Sequence, residues 1–206
     1  TILGAAKLTG RIGAFSVGVL NAVTGDEDAL IVHGPAITRQ TIEPLSNYAV
    51  IRARREFTNQ SNLGFMATAT NRNIDDATRF LPGQAYTGGV DVDWRLGKRY
   101  ALQGFWAGSS VHGDIQAIDD LQQNNVHSFQ RPDSTALEYD PTRTALNGYA
   151  AQASVNKIGG ERTRFSSNVS VKSPGFELND VGFLRRADQR SMSNWFQVRY
   201  EKPSKY

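Results

Sequence analysis

The chain has 206 residues, of which 39% are hydrophobic and 21% charged, and its formal net charge is +3. This balance excludes a disordered polymer, and the length suits one domain with a sizeable core. The sequence contains no run of 18 apolar residues, which excludes a transmembrane helix but leaves transmembrane β-strands open. Basic and acidic residues are interleaved, which argues against nucleic acid as a partner. With no cysteine, the chain has no disulfide scaffold, thiol nucleophile or Cys-ligated zinc.

Side chains alternate between apolar and polar along much of the chain, which is the period of a β-strand. From Ala85 to Leu96, Val90 and Trp94 share one face, while Asp91 and Asp93 share the other. The same alternation predicts nine strands of about ten residues, which are Ile2–Arg11, Ala14–Thr24, Asn47–Phe57, Leu63–Arg72, Ala85–Leu96, Arg99–Val111, Leu146–Lys157, Arg162–Lys172 and Met192–Tyr200.

The predicted connections alternate in length. Short connections containing Gly or Asn, which suit tight hairpins, lie at residues 10–13, 58–62, 97–98 and 158–160. Long connections lie at residues 25–46, 73–84, 112–145 and 173–190. This order places all the long loops at one end of an antiparallel meander. Helical periodicity is confined to residues 114–123, so we expect little helix.

The spacing of aromatic residues favours a barrel that spans a membrane. Tyr86 and Trp94 share the apolar face of one strand and lie about 26 Å apart, close to the height of a membrane band once the strand is tilted. The predicted fold is all-β: an antiparallel up-and-down transmembrane β-barrel, or an arc of a larger barrel, with about nine or ten strands. A soluble lipocalin-like barrel or β-sandwich, with the same strands turned inside out, remains the alternative. It would bury Val90 and Val169 in a closed core.

Three stretches of sequence resemble a bacterial family, domain of unknown function 5916: ILGAAKLTGR at 2–11, FQRPD at 129–133 and PGFELNDVGFLRRAD at 174–188. The resemblance implies that a carbohydrate-binding module family 9-like domain precedes a C-terminal region resembling an outer-membrane β-barrel. It therefore implies that residues 1–206 are a single β-barrel region. The family offers no established catalytic residues. Because the chain starts at Thr1 without a leader sequence, we expect it to be a fragment of a longer chain.

If the apolar faces meet lipid, the polar faces line a lumen. Arginine side chains there could contact carboxylates or sugar hydroxyls. The predicted ligand-binding residues on this face are Arg52, Arg54, Glu56, Asp91, Asp93, Arg95, Arg162 and Arg164, and Lys7, Thr9 and Arg11 share the same orientation. The alternative is that these charges pair with one another across strands.

The long connection at residues 174–188 combines several apolar side chains with charged ones, so we expect it to fold inward or to pack on a partner. It could constrict the lumen or contact a ligand. The predicted functional residues of this segment are Phe176, Glu177, Asn179, Asp180, Arg185, Arg186 and Asp188. Simple pinning of the loop by Arg-to-Asp pairs is the alternative.

No catalytic motif is present, and we expect no enzyme activity, no cofactor and no metal. The three histidines are scattered, and neither an HExxH motif, nor a Gly-x-Ser-x-Gly elbow, nor a glycine-rich phosphate loop occurs. The pairs Asp91 with Asp93 and Glu177 with Asp180 keep a glycan hydrolase open as a third hypothesis.

The sequence therefore predicts a protein of the bacterial outer membrane that acts as a porin-like conduit or a surface binding platform. The expected partners are outer-membrane lipid, a carbohydrate ligand, and other outer-membrane or periplasmic proteins. The carbohydrate is implied by the family resemblance alone.

Overall fold

A computed structural model describes residues 1–34, 36–133, 137–160 and 162–200 of the chain. Within these ranges lie eleven strands and one helix: β1 (Ile2–Ile12), β2 (Phe15–Thr24), β3 (Glu27–His33), β4 (Ala36–Glu43), β5 (Ser46–Glu56), β6 (Asn62–Arg72), β7 (Gln84–Leu96), β8 (Tyr100–His112), α1 (Ile115–Gln123), β9 (Ala145–Lys157), β10 (Thr163–Lys172) and β11 (Gln189–Val198). In the described part of the chain, no helix is both long and apolar enough to cross a membrane.

Nine of the strands form one antiparallel up-and-down sheet in the order β1-β2-β5-β6-β7-β8-β9-β10-β11. The other two, β3 and β4, pair only with each other as a hairpin between β2 and β5. Because each strand of the main sheet reverses the direction of its neighbour, β1 and β11 point the same way. They are the two edges of the sheet, which is an arc of a barrel within the described residues.

The structure confirms the predicted all-β antiparallel fold. The first eight predicted strands of the main sheet match to within one residue at each end, while the last begins at Gln189 instead of Met192. The prediction of a loop over residues 25–46 was wrong, because β3 and β4 lie there. Four consecutive apolar residues at 29–32 obscure the strand period in this stretch.

The two ends of the sheet differ as the alternation of connections predicts. Tight turns join the strands at one end, and at Gly13 and Gly97 the backbone φ is 61°, a conformation that glycine adopts without strain. The β3–β4 hairpin and residues 73–83, 113–144 and 173–188 connect the strands at the other end.

The sheet has two faces of opposite character, and strand register shows which residues share each one. The outer face carries large exposed apolar residues on all nine strands: Leu8, Val19, Ile51, Phe65, Val90, Leu102, Trp106, Val155, Val169, Met192 and Phe196. Val90 is 48% exposed and Val169 is 46% exposed, so neither lies in a closed core. The inner face is the one against which described residues of 113–133 and 173–188 pack.

Buried apolar residues lie between the inner face and these two long connections. Ile118 of α1 packs on Ala85 and Val111 of the sheet. A second cluster joins Ala150 of β9 to Phe176, Leu184 and Ala187. Asp114 caps α1 by accepting a hydrogen bond from the Gln116 N–H. The core therefore holds two connections against one half of the inner face.

Candidate functional site

Most of the predicted lumenal charges lie on the inner face, in two neighbouring groups. Arg52, Arg54 and Glu56 on β5 and Asp91, Asp93 and Arg95 on β7 flank β6, the strand between them. Arg164 lies on the same face but on β10, and Arg162 immediately precedes that strand. The structure thus brings six of the eight residues together and leaves Arg162 and Arg164 apart. Their role in ligand binding stays a prediction.

Arg52 and Asp91 form a bidentate ion pair. The Nη2 of Arg52 donates to Oδ1 of Asp91 at 2.9 Å, and Nη1 donates to Oδ2. Both side chains are about one-third exposed, so the pair lines accessible space. Its two parallel hydrogen bonds fix the orientation of both groups.

The neighbouring charges are engaged as well. Asp93 accepts a hydrogen bond from Gln103 at 2.9 Å, and its other oxygen lies 3.5 Å from Nε of Arg95. Glu56 lies 4.0 Å from Arg11 of β1. Two of these pairs therefore join different strands, Arg52 with Asp91 and Arg11 with Glu56, whereas Asp93 and Arg95 lie on the same strand.

A surface of hydroxyl and amide side chains occupies the inner face of β9, β10 and β11, between Arg164 at one end of β10 and Lys172 at the other. Ser170 and Ser191 share a hydrogen bond of 2.7 Å, and Ser166 donates to Asn156 at 2.6 Å. Trp195 lies on the same face, opposite Ser166. The alternation along residues 162–172 predicts that Ser166, Asn168 and Ser170 share the polar face of this strand, but only the arginines of that face were predicted to bind a ligand.

Residues 173–188, the inward segment, fold onto the inner face as one of the two predicted alternatives requires. A side chain at Gly148 of β9 would overlap the backbone of Gly175 and Phe176, so strand and segment touch backbone to backbone. Phe176 is 3% exposed and packs on Ala150. The inward segment is therefore fixed to the sheet at its start.

Glu177 is the most deeply buried acidic residue of the inward segment. Its Oε2 lies 2.8 Å from Nε2 of His127, and its Oε1 accepts the N–H groups of Leu178 and Asn179 at 2.7 and 2.6 Å. Burial raises the pKa of Glu177, but the hydrogen bonds from His127 and the two N–H groups outweigh burial and hold the pKa below its usual range. In addition, the Glu177 N–H donates to Ser109 Oγ at 3.0 Å.

Two arginines outside the inward segment hold its remaining acidic residues. Arg72 of β6 donates to Asp180 at 2.5 Å and to Glu43 at 3.3 Å, and it is almost completely buried. Arg131 donates to Asp188 at 2.9 Å. The Glu177–His127 hydrogen bond and two ion pairs thus anchor the inward segment at its beginning, middle and end. Within it, Asn179 Oδ1 accepts the N–H of Leu184, whereas the predicted residues Arg185 and Arg186 are exposed.

The tip of the inward segment closes one side of a cavity of about 300 Å³. Leu178, Val181 and Gly182 form this side, and the wall of the sheet forms the other. The wall contributes the Arg52–Asp91 pair and the aromatic ring of Phe105. The cavity therefore offers a small solute both charged hydrogen-bonding groups and apolar surface.

The hydrolase hypothesis needs two carboxylates that act together, but the candidate carboxylates each contact a different basic side chain. Asp91 binds Arg52, Glu177 binds His127, and Asp180 binds Arg72. Within the described ranges, no group of three or more His, Asp or Glu residues is placed to hold a metal ion.

A family model for a domain of unknown function, DUF5916, matches residues 1–206. The chain belongs to the DUF5916 family. Comparison with curated proteins gave no match. Among solved structures, this DUF5916 chain is similar to a porin refined at 1.8 Å, with 15% identity and a TM-score of 0.47. The match covers 80% of this chain and 44% of the porin, so the chain spans less than half of the porin's length.

Proposed function

We propose that this DUF5916 chain forms part of the wall of a transmembrane β-barrel in the bacterial outer membrane. In this barrel, the inward segment narrows a lumen through which small polar solutes pass. The observation that carries the proposal is the outer face, where exposed apolar side chains run across all nine strands of the sheet. So large an exposed apolar surface requires a partner, and lipid covers such a surface on a barrel wall.

Aromatic residues border this apolar surface at both ends, as the girdles of membrane barrels do. At the short-turn end, Phe57 and Trp94 meet edge to face with ring centroids 5.2 Å apart, and Tyr100 packs near Phe165. At the long-connection end, Tyr86 donates from its hydroxyl to Asn71 at 2.8 Å. Each ring can place its body in lipid, and the polar tips of Tyr and Trp can reach water.

Closure of the barrel is constrained by strand direction. A spanning sheet cannot leave unpaired backbone groups in hydrocarbon, so both β1 and β11 need neighbours. Because β1 and β11 are parallel, an antiparallel barrel requires an odd number of further strands between them. A second copy inserted in the same orientation would bring β1 and β11 together in parallel and does not meet this requirement.

We propose a neutral sugar as the solute class. The hydroxyls and amides of β9, β10 and β11 can exchange hydrogen bonds with sugar hydroxyls, and the rings of Phe105 and Trp195 can contact the apolar faces of sugars. The paired charges of β5 and β7 add no net charge that would select strongly for ions. A conduit is favoured over a surface platform because the inward segment and the cavity lie on the inner face.

The proposal is tested on the native protein by membrane fractionation and by electrophoresis in SDS with and without boiling. We expect extraction only with detergent and a heat-dependent change in mobility, since an intact barrel resists SDS. Swelling of liposomes containing the protein should be fast in a monosaccharide and slow in a large dextran, with empty liposomes as the control. Extraction without detergent and an unchanged mobility would refute the membrane barrel. An intact barrel without swelling would leave the membrane location standing and refute the conduit.

A further inference from the structure

His127 is completely buried and faces a hydrogen-bond acceptor at both ring nitrogens. Its Nδ1 lies 2.7 Å from the carbonyl oxygen of Pro174, and its Nε2 lies 2.8 Å from Oε2 of Glu177. A carbonyl oxygen can only accept, and the Glu177 carboxylate already accepts two backbone N–H groups at its other oxygen. The lowered pKa of Glu177 favours its carboxylate form, which can only accept at Oε2. With acceptors at both positions, the two ring nitrogens are satisfied together only when both carry a proton.

We propose that the second proton on His127 is a latch, which holds the inward segment against the sheet and releases it when the proton is lost. The pH-dependent opening of the lumen that follows rests on the proposed function, because it requires a conduit that the inward segment narrows. The release of the segment itself does not depend on that function.

Loss of one proton leaves the His127 ring with a single donor. A lone pair then faces either Pro174 or Glu177 at less than 3 Å, and the buried carboxylate loses its only cationic contact among the described residues. A buried polar group without a partner is costly, and a buried charge without one is more so. Both contacts lie in the first residues of the inward segment, on either side of Phe176. Their loss frees Phe176 and so opens the buried cluster that it forms with Leu184 and Ala187.

The other acidic groups of the inward segment are paired with arginine. In the inward segment, Asp180 and Asp188 are paired with Arg72 and Arg131, whose guanidinium groups stay charged at all physiological pH values. The sheet contributes Ser109, an uncharged acceptor for the Glu177 N–H. Imidazole is the side chain whose ordinary chemistry changes its charge near neutral pH, so the latch places the response to pH at the His127 contact.

The acidic limit of the latch follows from Glu177. The pKa of Glu177 is lowered in the folded protein. The stability that its carboxylate contributes is therefore fully present at pH values above the ordinary pKa of a carboxyl group. That stability is lost only as pH falls through the lowered value. The inward segment is therefore held between this acidic limit and the pH at which His127 loses its second proton.

The test uses the full-length protein with a single cysteine in this region, which has none of its own. Ala187→Cys places a thiol at a position that is 1% exposed, and Phe183→Cys places a reference thiol at a position that is 79% exposed. Both thiols are labelled with a hydrophilic maleimide. Because pH changes the chemistry of labelling for both thiols, the ratio of the two rates reports the exposure of position 187. We expect this ratio to rise about tenfold or more between about pH 6 and about pH 9.

Two substitutions and one matched control decide the outcome. His127→Gln should remove the rise, whereas His112→Gln, at an exposed histidine on β8, should keep it. Glu177→Gln should also remove the alkaline rise, because its amide can donate to the deprotonated Nε2, and it decides the test if His127→Gln does not fold. A flat ratio in the natural sequence, or a rise that persists in both variants, would overturn the latch. Conductance across planar bilayers is measured separately. A labelling ratio that depends on pH, without conductance, would refute only the conduit. Conductance with a flat labelling ratio would refute only the latch.

Discussion

Arg52 and Asp91 meet across a strand that lies between them, at a position where that strand has no side chain. Arg52 lies on β5 and Asp91 on β7, and the pair passes over Gly64 of β6. A Cβ at Gly64 would lie 2.5 Å from Nη2 of Arg52 and would also overlap the Asp91 carboxylate. The absence of a side chain at Gly64 is therefore a condition for this ion pair.

We predict that Gly64→Ala separates Arg52 from Asp91 without unfolding the sheet, because the crowded atoms are the ends of flexible side chains. The loss of stability should be about 0.2–1 kcal/mol, the usual contribution of a partly exposed ion pair. Unfolding by urea in detergent micelles measures it. Gly88→Ala on β7 is the matched control, since the nearest atom to its Cβ is 3.9 Å away. Equal losses in both variants would show that the pair does not depend on Gly64.

Removing one charge of the pair should change the ion selectivity of the lumen. Asp91→Asn leaves Arg52 uncompensated and favours anions, while Arg52→Gln favours cations and the double variant restores the original ratio. The change should be a few-fold, because a unit charge acts on an ion 4 Å away with about 1 kcal/mol in water. Reversal potentials across planar bilayers measure it, and the effect should shrink at high salt.

The control for the selectivity experiment is Asp28→Asn in the β3–β4 hairpin. Asp28 lies 3.7 Å from Arg39, so this variant also removes one partner of an ion pair, but outside the main sheet. An unchanged selectivity in Asp91→Asn, or an equal change in Asp28→Asn, would count against a lumen at the inner face.

The sequence predicts the strands well because their information is local. Alternation and turn residues locate eight strands of the main sheet to within one residue. Pairing among the charges and pinning of the inward segment by Arg-to-Asp pairs were predicted as alternatives, but the partners were not. Partners such as His127 and Glu177 lie 50 positions apart and meet only once the register of the sheet and the path of the connection are known. Arg52 and Asp91 do not even occupy directly paired positions. The inward fold of residues 173–188 was foreseen from their apolar content, but the anchoring cations on β6 and in the connection after α1 were not.

The close approach at Gly148 predicts that a small side chain there displaces the inward segment. Gly148→Ala forces the Phe176 and Gly175 backbone away from β9, and overpacking of this kind costs about 1–3 kcal/mol. Exposed Arg185 and Arg186 supply tryptic sites in the segment. Their cleavage should accelerate about tenfold or more if local opening becomes easier by that amount. Gly18→Ala on the inner face of β2 is the control, because its Cβ would make an ordinary contact of 3.7 Å with Thr9. Equal cleavage rates in the two variants would contradict anchoring at Gly148.

Two of the three tryptophans give a direct test of which face meets lipid, because they lie on opposite faces of the sheet. Trp106 is 53% exposed on the outer face, and Trp195 is 52% exposed on the inner face. In variants that keep only one tryptophan, brominated acyl chains should quench Trp106 strongly and Trp195 weakly, and aqueous iodide should show the reverse order. Since the two side chains are equally exposed, a difference in quenching reports their surroundings rather than their accessibility. Equal quenching by bromolipid, or stronger quenching of Trp195, would mean that the apolar face does not contact hydrocarbon.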